Sequence, residues 1–134
     1  MTGMPLNIEL DQLRQIIIVD LEAASSLKDI RQADEALLKF LAARGNLDAL
    51  YDCSRADFSR FYSDKLVEHA QWLTPRLDRF PRHIALVATG DLEFGVCRMW
   101  EIHAEKLAPR SRRVFRDRED AQAWLLSCRT QNQD

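Results

Sequence analysis

Apolar and polar residues alternate over residues 6–10 (LNIEL), then give way to the nearly unbroken apolar segment 15–21 (QIIIVDL). Alternation marks a half-exposed strand, and a continuous β-branched run marks a strand buried on both faces. The polar gap 11–14 between them predicts a hairpin. The period then changes: Leu27, Ile30, Ala33, Leu37, Leu38 and Leu41 recur at helical spacing, with Ser26 at the N-cap and Gly45 just past the end. Residues 47–53 (LDALYDC) predict a short buried strand. From Phe58, the positions Phe61, Tyr62, Leu66, His69, Ala70 and Leu73 predict a second helix, begun by Asp57 or Ser63 and closed by Pro75 and Pro81. HIALVAT (83–89) is the clearest buried strand, followed by a helix for which Asp91 is the expected N-cap. RRVFR and the Asp117-capped helix DREDAQAWLLSC end the pattern, with Ala121, Trp124, Leu125 and Cys128 on one face.

The order β-β-α-β-α-β-α-β-α predicts an α/β fold. Strands that alternate with helices pair in parallel through right-handed crossovers, so a mostly parallel sheet of about five strands flanked by helices follows, with the first strand antiparallel. Residues 1–128 read as one domain and 129–134 as a polar, disordered tail.

Composition adds exclusions. The 134 residues are 46% hydrophobic and 30% charged, the profile of a chain that buries a core without metals or disulfides. The longest apolar run, IALVA (84–88), is far short of the ~20 residues of a membrane span. With neither a span nor a signal-peptide pattern, a cytoplasmic location is expected. Cys53, Cys97 and Cys128 are odd in number and widely spaced, which fits reduced thiols. A net charge of −2 argues against nucleic acid as a partner. Residues 106–118 are locally basic (Lys106, Arg110, Arg112, Arg113, Arg116, Arg118), which reads as a solvated helix end and a protected strand edge, or else as a surface for an anion.

In an open parallel sheet, ligands and partners meet the loops beyond the carboxyl ends of the strands. Here those loops carry Glu22, Ser25 and Ser26, then 52–57, 89–91, and Arg116 with Asp117. The expected interaction rim is therefore Asp52, Cys53, Ser54, Asp57, Thr89, Gly90 and Asp91. Cys53 and Ser54 lack the base that a nucleophile needs, since none of His69, His83 and His103 is placed to reach Cys53. No metal spacing and no phosphate loop occur, so neither metal nor cofactor is expected and the chain reads as non-enzymatic. Gly95 within a helix costs about 1 kcal/mol relative to Ala and points to close packing. Phe94, Met99 and Trp100 beside it mark an alternative apolar groove.

The block HIALVATGDLEFGVCRMWE with the later VFRDREDAQAWL resembles the SpoIIAA-like (STAS/SEC14-like) bacterial proteins. That resemblance implies a sheet of four to five strands flanked by helices. It also implies a regulatory or protein-interaction module that acts through the rim, with a protein partner or self-association as a homodimer. Phosphorylation at Ser54 or Ser59, the nearest counterparts of the serine in the family's D-S-S-G turn, would be its switch. The kinship with lipid-carrying domains implies the alternative of a carrier or sensor for a small apolar or amphipathic ligand.

Overall fold

The computed structural model describes residues 7–45, 47–61, 63–107 and 111–132. Its strands are β1 (Asn7–Asp11), β2 (Ile16–Asp20), β3 (Asp48–Asp52), β4 (Ile84–Val87) and β5 (Arg112–Phe115). Helix α1 (Leu27–Arg44) joins β2 to β3, α2 (Ser63–Leu73) joins β3 to β4, α3 (Asp91–Leu107) joins β4 to β5, and α4 (Arg118–Asn132) follows β5. The strands lie side by side in chain order, β1 antiparallel to β2 and the rest parallel. This is the α/β architecture that the sequence predicts.

Strand order explains the layers. Each right-handed crossover steps one strand in the same direction, so α1, α2 and α3 fall on one face of the sheet. Ile17, Val19, Ala49, Tyr51, Ile84, Leu86 and Val114 point toward them. The alternate residues Ile16, Ile18, Leu50, Ala85 and Val87 point to the opposite face, where α4 supplies Ala121 and Leu125. Both are fully buried, and a side chain such as Leu125 contributes roughly 1.5–3 kcal/mol.

Local rules set the helix ends. Ser26 accepts from the Asp29 N–H at 3.2 Å, and Asp117 Oδ1 accepts from the Asp120 N–H at 2.9 Å. At the other end of α1, Gly45 adopts φ +96°, a left-handed value that glycine takes without strain, and its N–H reaches the Leu41 carbonyl.

Four expectations are corrected. Helix α2 begins at Ser63, not near Phe58: Phe58 and Phe61 lie in the preceding loop and pack edge-on against each other and Trp100, with centroids 4.9–5.7 Å apart. Asp91 is the first residue of α3 rather than its cap, because the Phe94 N–H bonds to the Gly90 carbonyl. Gly95 is not a packing glycine, since a Cβ there meets nothing within 4 Å. The expected tail is helical through Asn132, and Arg129 anchors it, donating to Asp48 Oδ2 and to the carbonyls of Arg14 and Gln15. Residues 133 and 134 lie outside the described residues.

Candidate functional site

The carboxyl ends of β2 to β5 form one rim, which three arginines span through four carboxylate contacts. Arg55 reaches Asp20 at 2.8 Å and Glu22 at 3.3 Å. Arg118, at the start of α4, meets Asp52 Oδ2 at 2.8 Å. Arg116 meets Asp91 Oδ1 at 2.9 Å and the Thr89 carbonyl at 3.1 Å, with its guanidinium over the Phe94 ring. With the arginine ends exposed to solvent, such pairs contribute little to stability and chiefly set positions. Partial burial pushes the Asp52 carboxyl up, but the hydroxyl and N–H of Ser54 and the Arg118 guanidinium outweigh it and hold the group below its ordinary range. Asp57 Oδ1 accepts from the Ser59 N–H at 3.1 Å, a turn that holds the loop before α2. Gly90 leaves room for Glu93, whose Oε1 would lie 2.5 Å from a Cβ at that position and whose Oε2 accepts from the Phe58 N–H.

Below the rim, a cavity of about 40 Å³ lies between the sheet and helices α1 to α3. Its walls are mostly apolar, among them Leu21, Ile30, Leu73, Leu86 and Trp100, and the half-exposed Leu107 marks where the lining reaches the surface. A buried polar chain crosses it. The Tyr51 hydroxyl donates to Asp34 Oδ1 at 2.6 Å, and His69 Nε2 stands 3.3 Å from Asp34 Oδ2. Asp34 and His69 are each only 4% exposed. Burial, with Asp34 adding to it, pushes the Tyr51 phenol well above its usual range. Burial lowers the Arg112 guanidinium, against the opposing pull of Asp34 and Tyr51.

Two nitrogens in this wall are orphaned. His69 Nδ1 and Trp100 Nε1 are buried without a hydrogen-bond partner among the described residues. Their rings are neighbours, 5.8 Å apart, and His69 also stacks on Trp72. Trp100 Nε1 can only donate, and an imidazole nitrogen such as His69 Nδ1 accepts or donates according to where the ring carries its proton. Two residues that line the cavity thus each carry a buried, unmatched nitrogen, costing about 1–3 kcal/mol apiece while unpaired.

Cys53 also lines the cavity, so the structure brings it and His69 to one chamber, which the spacing along the chain does not anticipate. The Cys97 thiol and burial raise its pKa well above the ordinary value, and its sulfur contacts the Tyr51 carbonyl at 3.9 Å. A thiol held protonated in this way is a poor nucleophile. Among the described residues no group of three His, Cys, Asp or Glu side chains is placed to hold a metal.

Phe94, Met99 and Trp100 do not form one groove. Phe94 is half-buried beneath Arg116, Met99 faces outward, and Trp100 lines the cavity. The basic stretch divides as well: Arg116 and Arg118 serve the rim, Arg112 turns inward toward Tyr51, and Arg110 lies outside the described residues. Asp34 was the missed residue. A carboxylate within the stripe Ile30, Ala33, Leu37 and Leu41 was its signal.

Comparison with known proteins agrees with this architecture. No family model and no curated protein matches the chain. A solved structure from Shewanella loihica PV-4, an uncharacterized protein from the DUF3478 family with a SpoIIAA-like fold, is similar with a TM-score of 0.56. At 20% identity the match covers 93% of this chain and 95% of that one, and the shared SpoIIAA-like fold is what it shows. Among the described residues no helix is long and apolar enough to cross a membrane.

Proposed function

We propose that the chain is a non-enzymatic, ligand-responsive interaction module: the cavity takes a small amphipathic molecule, and the rim above it presents the outcome to a protein partner. The pair of orphaned nitrogens, His69 Nδ1 and Trp100 Nε1, among residues of a mostly apolar lining carries this reading. Apolar walls with a few convergent polar atoms are the composition of small-molecule sites. A ligand whose polar end both gives and receives a hydrogen bond, such as a hydroxyl, would match both atoms. At about 40 Å³ the chamber takes a very small molecule as it stands, and a longer one only by parting the walls near Leu77 and Leu107. Coupling to the rim is direct. Leu21 and Cys53 line the cavity, and the Leu21 and Cys53 N–H groups bond to the carbonyls of Asp52 and Val87, at the ends of the strands from which the rim loops leave.

The test is an NMR titration of the ¹⁵N-labelled protein with short-chain alcohols and the matching alkanes. Saturable movement of the Trp100 indole N–H with the alcohols, weakened in His69→Phe, supports the reading. An indole resonance indifferent to every compound overturns it.

A second reading rests on Ser54. Its N–H and hydroxyl hold the Asp52 carboxylate that Arg118 also grips. A phosphoryl group there would add about −2 of charge and compete for Arg118, releasing the start of α4 from the rim. Ser59 is exposed on the neighbouring turn. Intact-mass analysis after incubation with cell extract and ATP decides this: no added phosphate on either serine removes the switch.

A further inference from the structure

Helix α3 carries two apolar stripes, and the fold covers one. Val96, Cys97, Trp100 and Ala104 turn into the core. On the outer side Leu92, Met99 and Ile102 are 50%, 38% and 48% exposed, and with Gly95 and Lys106 they follow alternating steps of three and four residues. That spacing is the seam of a helix that packs along another helix. Gly95 belongs to this seam. It is exposed, it costs about 1 kcal/mol relative to Ala in mid-helix, and nothing within 4 Å of a Cβ at that position requires its small size. Close approach of a second helix would supply the missing reason.

We propose that the outer face of α3 is a homodimer contact in which two copies of α3 pack antiparallel about a two-fold axis between Met99 and Ile102. Charge selects this occupant. Arg98 and Glu105 stand one heptad apart on the same flank of the seam. Antiparallel pairing sets Arg98 against Glu105 of the partner subunit, and the two-fold repeats that contact. Met99 then meets Ile102 of the partner subunit, and the aliphatic stem of Lys106 lies over the partner's Gly95. A parallel pair would instead set Arg98 beside His103 of the partner subunit, with no carboxylate opposite it. The contact spans a few helical turns, the low end of specific interface sizes, so a dimer that dissociates on dilution is expected.

Sedimentation velocity of the purified protein, from about 1 to 300 μM, tests the proposal. A monomer–dimer equilibrium is expected, with Ile102→Glu monomeric throughout and its circular dichroism unchanged. Arg98→Glu should weaken the dimer about tenfold. Adding Glu105→Arg to Arg98→Glu should restore it with thermal stability unchanged between the two variants, the readout that separates a contact across the interface from re-pairing of Glu101, which Arg98 meets at 2.7 Å within its own helix. A wild-type monomer at every concentration, a dimer that survives Ile102→Glu, or a charge reversal that the second reversal does not rescue overturns the proposal.

Discussion

The phenolic oxygen of Tyr51 lies 2.6 Å from Asp34 Oδ1, a buried hydrogen bond that ties the middle of the sheet to α1. Asp34 stands 3.3 Å from His69 Nε2 with its other oxygen, so one carboxylate links β3, α1 and α2. Its removal therefore strands two partners at once. Asp34→Leu is expected to cost about 3 kcal/mol and Tyr51→Phe about 1–2 kcal/mol. In the double variant the loss should be smaller than the sum, because the two residues share one contact. Urea denaturation of the three variants measures this.

Alkaline titration should separate Tyr51 from an ordinary tyrosine. Its folded pKa lies above the unfolded value near 10, and that of Cys53 lies above an unfolded value near 9. The native state thus holds protons that the unfolded chain releases, and the associated stability is complete below about pH 8.5 and lost as pH rises beyond 10. The tyrosinate absorbance of Tyr51 should appear together with loss of the circular dichroism signal. Its appearance in the folded protein near pH 10 would contradict the buried hydrogen bond.

Asp52 has the opposite sign. Its folded pKa is depressed, so its contribution is present above the unfolded carboxylate value of about 4 and disappears as pH falls through the folded value. Arg118→Met should move the carboxyl upward. Carbon-detected NMR titration of Asp52 reads the shift directly, and an unchanged midpoint would mean that the 2.8 Å contact carries no electrostatic weight.

Arg129 fastens the end of α4 to the turn between β1 and β2 and to the start of β3, at the end of the sheet away from the rim. Its two terminal nitrogens each donate at 2.6 Å, to the carbonyls of Arg14 and Gln15, where Gln15 adopts φ +56°. Arg129→Ala should cost about 1–3 kcal/mol and speed amide exchange in β1 and its turn more than in β4. Uniform exchange across the sheet would show that the turn does not depend on this clamp.

Architecture was legible in the sequence because it rests on period. The alternation in β1, the continuous run in β2 and the capped stripes of α1 and α4 each state their own burial. The polar chain in the cavity was not legible in the same way. Asp34, Tyr51, His69 and Trp100 come from four elements, and no spacing along the chain declares that their side chains converge. The loop before α2 misled for a related reason: Phe58 and Phe61 are three apart, as on a helix, yet both are buried by packing on Trp100. The residues of the rim loops could be placed because parallel strands put their carboxyl ends together, but their ion pairs needed side-chain directions that only the coordinates supply.

Because each strand pairs with the one made just before it, the sheet can grow from its first edge outward while the chain is still being synthesised, every arriving strand finding its template already in place. Only the last helix must travel back, across 114 positions to Gln15. Arrival of α4 is thereby the event that locks the hairpin of β1 and β2.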